Sequence, residues 1–358
     1  MPKTIIPFGP QHPVLPEPVH LKLTVEDEVI REVVPAFGFV HRGLEKLVAI
    51  RDMHQMVQVV ERVCGICSMI HAMCFCQGIE EMLGLEVPRR ARFLRVIWSE
   101  LHRIHSHLLW LGLFADSFGF ESLFMQLWKI REKILDIHEA TAGNRIIISV
   151  NVIGGVRRDL EPEQMQWIKS GLTEVERELK ALENTLLNDY TVKKRTVGKG
   201  IVNQNQAYEL GLVGPTARAS GIAQDMRLLK YAAFDELDFQ PVVERDGDGY
   251  ARLKVRLREV HQSIDLIRQA IPKVPEGELS VKVKEKPEGE MVTRVEQPRG
   301  ELVYYLKGKG EKFLDRLRIR TPTFANLPAL VVMLPGMHLS DVPMIVLSID
   351  PCVSCTER

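Results

Sequence analysis

The chain lacks an excess of charge of either sign. Its 358 residues include 47 lysines and arginines and 47 aspartates and glutamates. Proteins that bind nucleic acid usually carry a basic excess, concentrated on one face or along one helix. The balance is typical of globular chains and predicts no nucleic-acid partner.

The chain also lacks a long apolar run without charges. Its most hydrophobic stretch, residues 108–127, is interrupted by Asp116 and Glu121, whereas a membrane-spanning helix needs about 20 mainly apolar residues. The N-terminal segment MPKTIIPFGPQHP has no apolar core of signal-peptide length. These features predict residence in the cytoplasm and no transmembrane segment.

No tract of serine, glycine or proline is long enough to act as a flexible linker, and no internal repeat is visible. We therefore expect one large domain that covers residues 1–358. Short alternating apolar runs predict a small β-rich segment at about residues 1–45. The stretch at about residues 274–290 is rich in lysine, glutamate and proline, and it predicts an exposed loop.

The remaining patterns predict a mainly α-helical protein with small β elements, an α+β fold. Apolar residues recur at helical spacing in several segments: 52–83, 88–113, 121–141, 161–188, 222–234 and 250–270. Residues 291–307 resemble a two-stranded hairpin that turns at residues 297–300. The first helical segment would carry Cys64 and Cys67 near its middle.

Cysteine is scarce, and four of the six cysteines form two Cys-x-x-Cys pairs at opposite ends of the chain. The pairs are Cys64 with Cys67 and Cys352 with Cys355. In a reducing cytosol such pairs are more often metal or redox centres than disulfides. Soft thiolate donors suit zinc, iron, nickel or copper. Three chemistries are open to such a set: structural zinc, an iron–sulfur cluster and a catalytic metal centre. Spacing alone favours structural zinc.

The residues around the two pairs carry a family resemblance. The segments ERVCGIC at 61–67 and DPCVSC at 350–355 resemble the nickel-binding motifs of nickel–iron hydrogenase large subunits. Further segments agree in order along the chain: GPQHPVLPEP at 9–18, HRGLEKL at 41–47, GPTARASG at 214–221, EQPRGEL at 296–302 and RTPTFANLP at 320–328. The combination is similar to the energy-converting, Ech-type and carbon-monoxide-induced hydrogenases, which are relatives of the 49-kDa quinone-site subunit of complex I.

The resemblance implies a hydrogenase large-subunit fold, with a central bundle of long helices. It also implies a nickel–iron centre that interconverts dihydrogen with two protons and two electrons. Nickel would be bound by all four cysteines. Cys64 and Cys352 would be terminal ligands, and Cys67 and Cys355 would bridge to an iron that carries carbon monoxide and cyanide.

Three further residues receive roles from the resemblance. Arg299 would lie over the open metal position, and its alternative is a salt bridge to an acid. Asp350 would orient that arginine or a diatomic ligand through hydrogen bonds, or it could be a helix cap. Glu17 would accept the proton beyond Cys352 as a buried carboxyl, and its alternative is a surface glutamate beside prolines.

Two other groups could suggest a second metal. Glu45 matches a residue that helps to hold magnesium or iron in other hydrogenases, but a salt bridge to Arg42 or Arg358 would equally explain it. His102 and His105 share one face of a predicted helix. For these imidazoles we expect solvated or core histidines.

Beside these four cysteines only Cys74 and Cys76 remain, and two thiols cannot hold an iron–sulfur cluster that needs four, so electrons would have to come through partners. The resemblance implies a small subunit with a 4Fe–4S cluster, a ferredoxin-like iron–sulfur subunit, integral membrane subunits that translocate ions, and soluble ferredoxin as the electron donor or acceptor. The chain would lie peripherally on the cytoplasmic side of the membrane. Two alternatives are a quinone-reducing subunit like that of complex I and a non-catalytic subunit with a structural metal.

Overall fold

The computed structural model describes residues 3–358, and it combines a helical body with small antiparallel sheets, which confirms the α+β class. The strands are β1 (Thr4–Phe8), β2 (His20–Glu26), β3 (Val29–Ala36), β4 (Asn151–Val152), β5 (Gly155–Val156), β6 (Glu288–Gln297), β7 (Gly300–Lys309) and β8 (Leu314–Arg320). They form a sheet β1-β2-β3, a short pair β4-β5 and a sheet β6-β7-β8.

Thirteen α-helices lie between and after these strands within residues 3–358. They are α1 (Met53–Glu61), α2 (Ser68–Leu83), α3 (Arg89–Asp116), α4 (Glu121–Ala142), α5 (Pro162–Asn188), α6 (Tyr190–Thr196), α7 (Gln204–Glu209), α8 (Gly214–Arg218), α9 (Gly249–Ala270), α10 (Pro322–Asn326), α11 (Pro328–Met333), α12 (Val342–Ser348) and α13 (Val353–Thr356). Short 3-10 helices cover Leu44–Ala49, Met226–Leu229, Phe234–Glu236, Ile271–Lys273 and Leu339–Asp341.

The helical body is built on α3, which packs against both α4 and α9, and α5 also packs against α4 and α9. Helix α3 is buried along almost its whole length, because neighbours cover it on several sides. The long helices α3, α4, α5 and α9 begin and end within about three residues of their predicted limits.

The N-terminal sheet shows the alternation expected of a strand with one buried face. In β2, Leu21, Leu23 and Val25 point into the core, whereas Lys22 is exposed. The sheet thus covers one side of the helical body, within the segment predicted to be β-rich.

The predicted hairpin is present in a longer form, because β6 and β7 pair from Glu288–Lys309 to Gln297–Gly300 and β8 adds a third strand. Helix α2 lies against this sheet. A Cβ atom at Gly78 would lie 2.4 Å from Leu306 Cδ1, so a residue without a side chain permits the close approach. Nearer its start, α2 reaches the end of β6, where His71 contacts Gln297.

Two helix predictions are wrong. The segment 52–83 is not one helix: α1 ends at Glu61 and α2 begins at Ser68, and a turn between them contains Cys64. The segment 222–234 contains only the 3-10 helices, because Lys230 and Ala232 adopt left-handed φ values of 61° and 50° that end any helical run.

Residues 274–287 run mostly exposed without a helix or a longer strand, and only Ser280 forms an isolated bridge, to Gly155. The single-domain organisation stays a prediction. None of the helices within residues 3–358 combines the length and the apolar character that a membrane crossing needs.

Candidate metal centre

The two Cys-x-x-Cys pairs meet in the interior. Cys64 lies in the turn between α1 and α2, and Cys67 directly precedes α2. Cys352 directly precedes α13, and Cys355 lies within it. The Sγ atoms of Cys64 and Cys352 are 3.3 Å apart, and those of Cys67 and Cys355 are 3.4 Å apart. The first cysteine of one pair therefore contacts the first cysteine of the other pair, and the second cysteine contacts the second.

The donor set fits a soft metal. The ligand atoms of Cys64, Cys67 and Cys355 all lie within 4.8 Å of one another, and Cys352 contacts the first of them. All four are buried thiols without a disulfide. Across residues 3–358, this is the only group of three histidine, cysteine or acidic side chains whose ligand atoms lie so close together.

The electrostatics of the four sulfurs favour a bound cation. Hydrogen bonding with Cys352 lowers the pKa of the Cys64 thiol, so one thiolate forms readily. Burial raises the pKa of Cys67 and of Cys355, because a second buried negative charge beside the first is unfavourable. A metal ion would supply the positive charge that lets several of these thiols ionise together.

Arg299 and Asp350 form a buried ion pair beside the cysteines. Arg299 lies in the turn between β6 and β7; its Nη2 is 2.9 Å from Asp350 Oδ1, and its Nε donates to the same oxygen at 3.0 Å. Burial opposes the charge on Arg299, but Asp350 and the nearby cysteines raise its pKa overall. Arg299 Nη1 and Asp350 Oδ2 have no hydrogen-bond partner. Each residue thus has one polar atom left to interact with a bound group.

His71 also contacts the cysteines, and the sequence reasoning missed it. Its Nε2 lies 3.4 Å from Cys355 Sγ and 3.0 Å from Gln297 Nε2, and its Nδ1 lies 2.8 Å from the hydroxyl of Tyr304. Burial lowers the pKa of His71 to about 4, so the imidazole is neutral near pH 7. Its place one helical turn after Cys67 was the available signal.

Arg42 joins the two cysteine segments from outside and was also missed. Its guanidinium donates to the carbonyls of Arg62 at 2.8 Å and Val63 at 2.9 Å, directly before Cys64. It also donates to the carbonyl of Ser354 at 2.9 Å, between Cys352 and Cys355. One side chain therefore fixes two segments that are distant in sequence.

Glu17 contacts the C-terminal cysteine segment. Its carboxylate accepts hydrogen bonds from the backbone N–H of Val353, from the N–H of Ser354 at 3.2 Å and from the Ser354 hydroxyl. The side chain is partly buried, in the loop between β1 and β2. Glu17 thus binds the two residues that separate Cys352 from Cys355.

Glu45 makes the salt bridge that was the alternative to a metal. Its Oε1 lies 3.0 Å from Arg358 Nε and accepts from the N–H of Ile319 at 2.9 Å, while its Oε2 lies 3.1 Å from Arg318 Nη1. Both oxygens are engaged by protein groups. Arg42, the other arginine considered, contacts backbone carbonyls instead.

The histidines of α3 are core residues. The rings of His102, His105 and His138 pack in one fully buried cluster with centroids 5.2–5.8 Å apart, and His102 stacks on His138. His107 lies apart from this cluster and bonds to Glu259 at 2.8 Å. These histidines lie outside the cysteine cluster and are not among its ligands.

Comparison with known proteins gives two matching family models. The model described as the respiratory-chain NADH dehydrogenase 49 Kd subunit matches residues 117–285 and 280–358. The model described as nickel-dependent hydrogenase matches residues 42–113, the segment that contains Cys64 and Cys67.

Individual relatives match almost the whole chain. The carbon monoxide-induced hydrogenase of Rhodospirillum rubrum is 40% identical over 99% of this chain and 99% of its own length. The membrane-bound hydrogenase subunit alpha of Pyrococcus furiosus is 39% identical over 99% of this chain and 87% of its own length. An NADH-quinone oxidoreductase subunit of Clostridium beijerinckii is 34% identical over 98% of this chain and 96% of its own length.

The similarity to nickel-dependent hydrogenases agrees with the convergence of four cysteine sulfurs in the structure. The similarity to individual relatives covers almost the whole chain. The chain therefore belongs to the family of energy-converting, nickel-dependent hydrogenase large subunits, which are related to the 49-kDa subunit of the respiratory NADH dehydrogenase.

Proposed function

We propose that this chain is the catalytic subunit of a membrane-associated nickel–iron hydrogenase that reversibly combines two protons and two electrons to dihydrogen. The observation that carries the proposal is the convergence of four buried cysteine sulfurs from the two ends of a hydrogenase-family chain. A quinone-reducing role does not require such a set of soft donors.

All four cysteines would hold nickel, and Cys67 and Cys355 would also hold the iron. The pairwise contacts support this division, because the two proposed bridging sulfurs are neighbours at 3.4 Å and so are the two proposed terminal sulfurs at 3.3 Å. When bound, the nickel–iron pair with its carbon monoxide and cyanide ligands supplies the redox chemistry. The chain's own residues would then orient the ligands and handle protons.

Arg299 would act beside the open metal position and Asp350 would fix its orientation. The two contacts from the guanidinium to Asp350 Oδ1 support this arrangement, since they leave Nη1 free of other partners. The Arg299 guanidinium stays protonated because its pKa is raised further above its already high ordinary value. It can therefore stabilise negative charge at the metal site without losing its own proton.

Glu17 would take up or deliver the proton at the terminal thiolate of Cys352. Its contacts with Val353 and Ser354, the two residues after that cysteine, support the role. A carboxylate held this close could exchange a proton with the metal site and pass it outward along the partly exposed loop between β1 and β2.

Electrons would enter through partners. Cys74 and Cys76 are buried within α2, and these two thiols are fewer than the four that a 4Fe–4S cluster needs. We infer a small subunit with a 4Fe–4S cluster, a ferredoxin-like subunit, soluble ferredoxin and ion-translocating membrane subunits. The chain would be peripheral on the cytoplasmic side. A magnesium or iron ion at Glu45 would have to displace its arginine contacts.

Metal analysis and infrared spectroscopy of the purified protein test the proposal. In this chain separated from its iron–sulfur partners we expect nickel and iron in equal amounts, and in the intact complex we expect infrared bands from carbon monoxide and cyanide on iron. Oxidation of dihydrogen with a viologen should be fast and reduction of a quinone absent. Zinc without nickel would favour a structural metal site, and quinone activity without hydrogen turnover would favour the complex I-like alternative.

A further inference from the structure

A fully buried ionic layer lies beneath the hairpin that carries Arg299. Its members come from α3, α8, α9, β6 and the 3-10 helix at Met226–Leu229 with its cap, and each is at most 2% exposed. The charged members are Glu100, Arg103, Arg218, Asp225, Arg227, Glu259 and Glu296, with His107 beside them. None of them touches the four cysteines.

The centre of the layer is Arg218, whose guanidinium contacts three carboxylates. Its Nη1 lies 2.8 Å from Glu296 Oε1 and 3.3 Å from Asp225 Oδ2, and its Nε lies 2.8 Å from Glu259 Oε1. Glu296 and Asp225 thus meet at one guanidinium nitrogen. Two carboxylates brought to one donor repel each other when both are ionised.

The other carboxylates are better compensated. Glu100 contacts Arg103 and Arg227 and accepts from the Ser263 hydroxyl at 2.6 Å. Asp225 contacts Arg227 at 2.8 Å in addition to Arg218. Each of these two carboxylates therefore forms ion pairs with two arginines.

Glu259 has one arginine, Arg218, and its second oxygen bonds to His107 at 2.8 Å. Glu296 has only the shared Arg218 nitrogen and the backbone N–H of Met226 at 2.9 Å. Arg103 donates to the backbone carbonyl of Glu296, at 2.9 Å, and not to its carboxylate. Glu296 is therefore the least compensated carboxyl group of the layer.

The contacts of the layer favour one bound proton at Glu296. Three arginines contact the four carboxyl groups, and the buried Arg256 adds positive charge at Glu259, so Glu296 is left without an arginine of its own. An uncompensated buried charge is strongly unfavourable. His107 is a poor site for the proton, because burial lowers its pKa.

We propose that Glu296 is a proton-storage residue, a buried carboxyl that binds and releases one proton beneath the Arg299 hairpin. The proton forms an O–H bond on Glu296 and leaves to solvent or to the metal site when the carboxyl ionises. Its use during hydrogen turnover rests on the proposed function, whereas the binding of the proton does not.

The pKa directions agree with this assignment. Burial and the neighbouring Asp225 raise the pKa of Glu296 to about 7, against the opposing effect of Arg218. Arginines lower the pKa of Asp225 and of Glu100 despite burial, which keeps those carboxylates ionised. The hydroxyl of Tyr231, which accepts from the Glu296 N–H at 3.1 Å, stays protonated because burial raises its pKa.

Glu296 is well placed to serve the metal site. It lies in β6 directly before Gln297, the last residue of the strand, whose side chain contacts His71, and Arg299 lies in the turn that follows. Arg103 donates to the carbonyls of both Glu296 and Gln297, which ties the layer to the hairpin. A change of charge at Glu296 would therefore act directly on the segment that positions Arg299.

Infrared titration of the intact purified protein between about pH 6 and 8 tests the proposal. The wild type should lose one protonated-carboxyl band as the pH rises, and the band should shift in D2O. Glu296→Gln should remove the band. The matched control is Glu301→Gln, because Glu301 pairs directly with Glu296 across the hairpin but contacts Arg320 instead of the layer. The control should keep the band.

A second variant keeps the test decisive if Glu296→Gln does not fold. Asp225→Asn removes the carboxylate that shares the Arg218 nitrogen with Glu296, so Glu296 should ionise more easily and its band should move to lower pH by at least one unit, a tenfold change in proton affinity. A wild-type protein without a titrating carboxyl in this range, or an unchanged band in either variant, would overturn the proposal. Hydrogen turnover without the band would overturn it and leave the proposed function intact.

Discussion

Cys67 and Cys355 are 288 positions apart in the chain, yet their Sγ atoms lie 3.4 Å apart in a fully buried site. The same separation of 288 positions joins Cys64 to Cys352 at 3.3 Å. The two ends of the chain thus meet in register, and the order of ligands within each pair is matched across the site.

Replacement of a cysteine of the site should abolish nickel binding. In Cys355→Ser we expect nickel content close to zero, because a hydroxyl is a far weaker donor to a soft metal than a thiolate. Metal analysis of the purified variant measures this. Cys76→Ser is the matched control, since Cys76 is equally buried in α2 but lies outside the cluster. Full nickel content in Cys355→Ser would contradict the ligand assignment.

Glu17→Gln should stop proton transfer without loss of metal. The amide can still accept a hydrogen bond from the N–H of Val353 or Ser354 but cannot take up a proton. We expect hydrogen turnover to fall by about a hundredfold or more with nickel retained. Ser354→Ala is the control, because it removes one contact of Glu17 and leaves the carboxylate. Normal turnover in Glu17→Gln would exclude Glu17 from the proton path.

Arg299→Lys should lower turnover by about a hundredfold, because an ammonium group cannot keep two contacts with Asp350 and still present a free donor to the metal site. Steady-state kinetics with dihydrogen and a viologen would show the loss in kcat. Arg294→Lys on the same hairpin is half exposed at its side chain and serves as control. An equal loss in both variants would point to general damage of the hairpin.

Arg42→Lys should weaken the junction of the two cysteine segments. One ammonium cannot reproduce the guanidinium contacts with the carbonyls of Arg62, Val63 and Ser354. We expect the free energy of unfolding to fall by about 1–2 kcal/mol and nickel to be released faster. Chemical denaturation and timed metal analysis measure the two effects. The exposed Arg51, changed to lysine, should leave both unchanged, and equal behaviour of the two variants would argue against the role of Arg42.

Acid should destabilise the protein through its buried histidines. Burial lowers the pKa of His138 to about 4, below its value of about 6.5 in the unfolded chain. The folded state therefore binds fewer protons. The contribution of His138 to stability is complete above about pH 6.5 and declines as the pH falls towards 4, by about 3 kcal/mol at most.

Thermal unfolding at several pH values between 7 and 4 measures this decline, and His138→Asn should reduce it. The exposed His54 provides the control variant, His54→Asn, which should keep the wild-type dependence. An unchanged acid dependence in His138→Asn would show that other groups cause it.

The sequence could predict the long helices but not the turn at Cys64. Apolar spacing continues from Met56 through Val60 and Val63, and all three are buried. The turn is as buried as the helices beside it, so periodicity could not reveal where α1 ends. The prediction of a helix at 222–234 was wrong for a different reason. Asp225 and Arg227 belong to the buried ionic layer, and the burial of charged residues has no signature in apolar spacing.

The sequence by itself identified the proposed donors of the metal site, because two thiols at i and i+3 and the residues beside them are local features. It also determined the class of the fold through the periodicity of its long helices. Only the tertiary structure decided that His71 and Arg42 join the cysteines, that Glu45 bonds to Arg358, and that Glu296 shares one arginine nitrogen with Asp225. The physical reason is that charge compensation and hydrogen bonding depend on which distant segments are buried together.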